Sequence, residues 1–216
     1  MKVEKNSSLD LIYDEELPVR SRFYSTWESM LVFGGSRESR EEFNSRYGGI
    51  LKRANSGDID AQAKLGCEYF EGYFLYRNFR KALSWWLKAA NNEKAASAKI
   101  PPAKYASSQY AVGLCNLLGL GTDKDEKSAF NYFSKAAENG LPTIELARCH
   151  LEGWGTPKDE TKALEVFKKV LNGDEALAKR VLEAFKGGAL KDAPVKRYEK
   201  LYKTYSGGDH ELKPPD

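Results

Sequence analysis

Histidine and cysteine are scarce in this chain of 216 residues: two of the former, His150 and His210, and three of the latter, Cys67, Cys115 and Cys149. No C-x-x-C pair occurs, so the usual spacings of a zinc cage or a redox pair are missing. Cys149 beside His150 makes no nucleophile–base pair, because neighbours on a helix point about 100° apart. No catalytic residue, metal ligand or cofactor is therefore assigned, and the chain is read as a non-enzyme. An excess of one charge is lacking too. The 34 Lys and Arg nearly cancel the 31 Asp and Glu, leaving a formal net charge of +3. That is too mild to argue for nucleic acid. No apolar run nears the roughly 18 residues of a membrane span, and Met1 to Asp10 holds lysines but no signal-type apolar stretch. A soluble, cytoplasmic chain with no membrane partner is the expectation.

What the chain does have is repetition. A small residue, Gly six residues on and Ala ten after that recur as Gly66-Gly72-Ala82, Gly113-Gly119-Ala129 and Ala147-Gly153-Ala163. Each copy reads as two helices. In the first, Ala61, Leu65, Gly66 and Tyr69 share a helical face and Gly72 ends the helix; Asn78 then caps a second helix carrying Ala82, Trp85, Trp86, Ala89 and Ala90. Asp125 and Asp159 hold the same cap position in the later copies. A fourth, worn copy opens at Gly173-Asp174, with Leu182 in the slot of Gly66. Repeats of this length, each helix pair burying a face on the next, make a solenoid.

The spacing divides the chain as follows: an extended tail at 1–18, N-terminal capping helices at 19–56, repeats over 57–190, a C-terminal capping helix at 191–206 and a flexible tail at 207–216. The repeats span 57–91, 105–140, 141–172 and 173–190, with an insertion at 92–104. Ser39 with Glu42 reads as a capping box for the second capping helix, which contains Gly48-Gly49.

The run Ala61-x-x-x-Leu65-Gly66-x-x-Tyr69-x-x-Gly72, followed by Lys81-Ala82-x-x-Trp85-Trp86-x-Lys88-Ala89-Ala90, resembles the Sel-1-like repeat, a relative of the tetratricopeptide repeat. Gly119-Leu120-Gly121-Thr122 through Asp125, Ala129 and Lys135-Ala136-Ala137 is the best copy, and Gly153-Trp154-Gly155-Thr156 begins the match of the third. Asn116 and His150 stand where that family usually has Tyr. The resemblance implies an all-α fold, an α-solenoid in which antiparallel helix pairs wind into a right-handed superhelix. It also implies a protein partner (a helix, loop or domain) and roles such as adaptor, inhibitor or toxin-neutralising immunity protein, with a toxin or effector among the candidate partners.

In related helix-pair solenoids the first helix of each pair lines the concave face. Counting from the small residue, the positions beside the packing set give Phe70, Glu71, Tyr110, Leu114, Leu117, Leu118, Ile144, Arg148, Leu151, Lys179 and Glu183 as the candidate groove. Its middle is apolar, and an exposed oily strip with a charged rim is the usual mark of a contact surface. A competing reading stays open: that tight curvature, the N-terminal segment or the insertion covers the strip.

Two further patterns have plain explanations. Gly119-x-Gly121 and Gly153-x-Gly155 lack the second half of a phosphate-binding loop and recur at one repeat position, as turns would. Lys196, Arg197, Lys200 and Lys203 interleave with Tyr198, Tyr202 and Tyr205. Nucleic-acid binding is the alternative function they suggest. Tyr198, Leu201, Tyr202 and Tyr205 also fit the stripe of an ordinary amphipathic cap, which is the preferred reading.

Overall fold

The structure is a computed structural model that describes residues 40–71, 75, 77–98 and 103–188, the side chains of 40–46 excepted. All regular structure among these residues is helical: α1 (Arg40–Asn55), α2 (Ile59–Glu71), α3 (Phe79–Ala90), α4 (Glu93–Ala96), α5 (Ala103–Leu118), α6 (Glu126–Glu138), α7 (Ile144–Glu152), α8 (Glu160–Val170) and α9 (Glu175–Lys186). None is long and apolar enough to cross a membrane. The tails, the capping helix expected before α1, Ser39, Gly72 and the C-terminal cap at 191–206 lie outside the described residues.

Side-chain caps set where helices begin. Asn78, Asp125 and Asp159 sit in extended backbone and accept from the N–H three residues on, at Lys81, Ser128 and Lys162. Each acceptor satisfies an amide that the helix cannot. Thr143 and Asp174 do the same for α7 and α9. The turn within each repeat is closed identically: the cap residue's N–H donates back to the first helix, Asn78 to Tyr69 at 2.8 Å, Asp125 to Asn116 at 2.8 Å and Asp159 to His150 at 2.7 Å. α1 runs unbroken through Gly48-Gly49. Its apolar side packs on α2, with Ile50, Ala54, Ala61, Leu65 and Trp85 in one cluster, which offsets the two glycines' poor helix propensity. The stretch at 92–104 contributes α4, capped by Asn92, and the first residues of α5.

Within repeats, α2 pairs with α3, α5 with α6 and α7 with α8; between repeats, α3 packs on α5, α6 on α7 and α8 on α9. One continuous core runs through the stack, centred on Trp86, Phe133 and Phe167. The solenoid is thus an all-α stack of helix pairs whose stability rests on contacts between neighbours.

Two glycines serve the stacking itself. Gly121 (φ +73°) and Gly155 (φ +68°) lie in left-handed backbone in the turns after α5 and α7. A Cβ on Gly121 would stand 2.5 Å from the backbone of Phe79, and one on Gly155 2.3 Å from the carbonyl oxygen of Glu126. Each turn therefore presses on the first residue of the previous repeat's second helix. Only glycine permits both that conformation and that approach.

Candidate functional site: the face of the first helices

The candidate groove residues sit on α2, α5, α7 and α9, and the structure separates them by exposure. Tyr110, Leu114, Leu117, Arg148 and Leu151 are 4, 1, 6, 2 and 8% exposed. The expectation of an open oily strip through Leu114 and Leu117 is corrected accordingly: these side chains belong to the core. The reason is where α5 lies. It packs on α3, α6 and α2, so nearly every side of it meets protein. The signal was present in the chain, because Ala106 to Leu117 holds only Ser107, Ser108, Gln109 and Asn116 as strongly polar side chains. A helix apolar all round is an interior helix, not a groove wall.

Arg148 is a core residue too, although its charge suggested a rim. Its guanidinium carbon lies 4.5 Å from the centre of the Trp154 ring and 5.6 Å from that of Phe185. The same helix carries Glu145, buried as well. Burial pushes the Glu145 carboxyl up, while a hydrogen bond from Tyr110 and the charge of Arg148 pull it back. Tyr110, Glu145, Arg148 and Phe185 thus join three successive first helices by polar and ring contacts.

Phe70, Glu71, Leu118 and Ile144 remain half-buried, and Lys179 and Glu183 are exposed. Phe70 leans on Phe79 and Trp86, with ring centres 5.2 and 5.4 Å apart. Lys179 pairs with Glu175 at 2.8 Å, and Glu183 lies 3.4 Å from Lys186. The candidate positions that stay partly open are therefore the apolar Phe70, Leu118 and Ile144, together with Glu71 and the exposed α9 positions.

Glu71 is the electrostatic outlier. It ends α2, where helix carbonyls disfavour a negative charge, and its Oε1 is enclosed with no hydrogen-bond partner among the described residues. Burial raises its pKa to about 7, neighbouring Glu68 adds to the rise, and Arg77 opposes it. Arg77 nevertheless spends two donors on the helix end, Nε to the Phe70 carbonyl at 3.0 Å and Nη2 to the Glu71 carbonyl at 2.6 Å. Beside it, burial pushes the Cys67 thiol up to about 12, so that sulfur is a poor nucleophile near neutral pH.

His150 sits half-buried and edge-on to Phe130, with ring centres 5.4 Å apart, and burial lowers its pKa. Cys149 is fully buried, its thiol pushed up to about 12. Among the described residues no three His, Cys, Asp or Glu gather as a metal site. The cationic positions Lys196, Arg197, Lys200 and Lys203 lie outside the described residues.

Sequence reasoning missed a pair of buried amides. Gln62 and Gln109 stand four residues before Gly66 and Gly113. Each donates Nε2 to a carbonyl at the end of an earlier helix, Gln62 to Ala54 of α1 at 2.9 Å and Gln109 to Ala90 of α3 at 3.3 Å. The Gln109 Oε1 also accepts from Asn139 Nδ2 at 3.1 Å. Two glutamines at one repeat offset on an apolar helix face were the available signal.

The chain matches the Sel1 repeat at residues 59–96, 106–141 and 144–169. Among solved structures it is similar to a Sel1 repeat protein from Oxalobacter formigenes, at 29% identity over 63% of this chain and 96% of that one, with a TM-score of 0.51. It is also similar to c5321, a protective antigen present in uropathogenic Escherichia coli strains and displaying an SLR fold; there identity is 21%, coverage is 91% of this chain and 49% of that one, and the TM-score is 0.35. This chain thus spans about half the length of that antigen. No curated protein matches it.

Proposed function

This chain is a Sel1-repeat protein, and from that premise we propose that it is a protein-binding scaffold of the adaptor, inhibitor or toxin-neutralising kind. Sel1 repeat proteins generally mediate protein–protein interactions and serve as non-catalytic scaffolds. The observation that carries the proposal is the half-exposed apolar set Phe70, Leu118 and Ile144, one on each of three successive first helices. Apolar surface left partly open by a fold that buries its other candidate leucines suits a contact surface with hot spots of modest size. Glu71, Lys179 and Glu183 supply charge on the same series of helices, where it tunes the choice of partner more than the affinity.

The test uses the full chain as bait in extracts of its own organism, followed by reconstitution with the purified partner. Leu118→Asp with Ile144→Asp should weaken the reconstituted complex at least about a hundredfold, with helical content unchanged by circular dichroism. Phe70 is left intact because its ring also supports Phe79 and Trp86. A complex of undiminished affinity would move the partner to another face.

A further inference from the structure

The outer face of α3 carries a one-signed charge. Arg80, Lys81, Ser84, Lys88 and Asn91 are exposed, and the helix holds no acidic residue from Phe79 to Ala90. Its counterparts differ: α6 includes Glu126 and Glu138, and α8 includes Glu160 and Glu165. Some lysines elsewhere on the described surface, Lys124, Lys162, Lys168, Lys179 and Lys186, pair with a carboxylate. Among the described residues Arg80, Lys81 and Lys88 have none.

These cations are also positioned. The Lys81 ammonium lies 5.3 Å from the centre of the Tyr69 ring and that of Lys88 3.9 Å from the Trp85 ring. At the end of α3, Asn91 Nδ2 reaches Tyr132 Oη of α6 at 3.4 Å. Over that ring lies Lys135, 5.1 Å from its centre. Three ring-backed lysines thus succeed one another across the join of two repeats. A cation resting on an aromatic face keeps its charge and loses part of its freedom, so less ordering remains for a ligand to impose.

We infer that this face binds an acidic protein segment, an extended stretch with Asp or Glu at about every third residue, laid along α3 toward α6. The spacing follows from the geometry of the α-helix and of the polyproline II chain. Lys81 and Lys88 are seven residues apart, nearly two turns, so both point the same way and stand about 10 Å apart along the axis. A polyproline II chain turns once in three residues and rises about 3.1 Å per residue, so carboxylates three positions apart lie on one face about 9 Å apart, over both ammonium groups. Nucleic acid fits less well. Single strands need open aromatic faces on which bases stack, whereas Trp85 is 9% exposed and Tyr69, Trp85 and Tyr132 each carry a lysine over the ring.

The experiment measures fluorescence anisotropy of a short labelled peptide with glutamate at every third position, titrated with the full chain at low salt. Saturable binding is expected that weakens about tenfold or more in Lys81→Gln/Lys88→Gln, further in Lys81→Glu/Lys88→Glu, and steadily with added salt. The control Lys158→Gln/Lys162→Gln should bind as the parent does. Circular dichroism confirms that each variant is helical, and the conservative glutamine pair serves if charge reversal disturbs folding. Three results would each overturn the inference: undiminished binding by the α3 variants, an equal loss in the control, or a single-stranded RNA that outcompetes the peptide. Leu118→Asp/Ile144→Asp should leave peptide binding unchanged, which keeps this face distinct from the groove proposed above.

Discussion

The indole of Trp86 lies across α2 at Gly66, so close that a Cβ on that glycine would stand 2.3 Å from the ring nitrogen. Phe133 lies over Gly113 in the same way, its ring 2.6 Å from where a Cβ would be. In the third copy Ala147 and Phe167 keep the separation of twenty residues and are both fully buried in the same core cluster. The small residue of each repeat is therefore the floor on which an aromatic ring from the second helix rests. That contact joins the two helices of a pair, and the pattern read along the chain is its trace.

Gly66→Ala and Gly113→Ala should each destabilise the protein. Alanine favours a helix over glycine by about 1 kcal/mol, but the added methyl must displace a ring that is 1% exposed for Trp86 and 0% for Phe133. Overpacking of this sort costs about 1–3 kcal/mol, so the net change is a loss. Urea unfolding followed by circular dichroism reads it as a lower midpoint. A raised midpoint would mean that the rings yield freely.

Gly155→Ala should cost more than Gly173→Ala. Both glycines have positive φ, +68° and +89°, but among the described residues a Cβ on Gly173 meets nothing within 4 Å whereas one on Gly155 meets backbone at 2.3 Å. The shared left-handed strain is about 1–2 kcal/mol. Only Gly155→Ala adds the clash with the carbonyl of Glu126, so its midpoint should fall at least about twice as far. Equal losses would show that the turn after α7 can lift off α6.

These contacts show what the chain reveals and what it hides. Caps such as Asn78 and Asp159 were legible because N-capping is local chemistry between residues three apart. The small-residue slot was legible because it recurs. The exposure of the groove was not, since the register within one helix pair places Leu114 and Leu117 beside the packing set and does not say what lies against them. How much of α5 its neighbours enclose depends on distances between repeats, which no spacing within one repeat encodes. Arg148 misled for a related reason: a charge signals a surface unless rings such as Trp154 and Phe185 close around it.

Gln109→Ala should cost about 1–3 kcal/mol through broken hydrogen bonding alone. The side chain is 1% exposed, and its amide ties the end of α3 to the end of α6 through Ala90 and Asn139. Its loss strips Ala90 and Asn139 of a buried partner. Because a solenoid transmits stability between neighbours, hydrogen exchange should quicken at the ends of both α3 and α6. Faster exchange confined to α5 would rule out the bridging role.

Glu71 should make the fold less stable as pH rises toward neutrality. Its carboxyl has an ordinary value of 4.5 when exposed and about 7 in the folded chain. Below 4.5 both states hold the proton and Glu71 costs nothing. Between 4.5 and 7 the unfolded chain releases it while the folded chain keeps it, so stability declines across that window and then levels off. Glu71→Gln removes the titration and keeps the shape. The variant should match the parent near pH 4.5 and exceed it at pH 8 by about 1–3 kcal/mol, a range reduced for the group's partial exposure. Glu145, also pushed upward by burial, is present in both proteins and cancels in the difference. The lowered carboxyl of Asp58 acts in the opposite sense and at more acid pH, outside the window. Urea unfolding of both proteins from pH 4.5 to 8 measures the difference directly. A gap that stays constant with pH would mean that Glu71 ionises normally and that water reaches its Oε1.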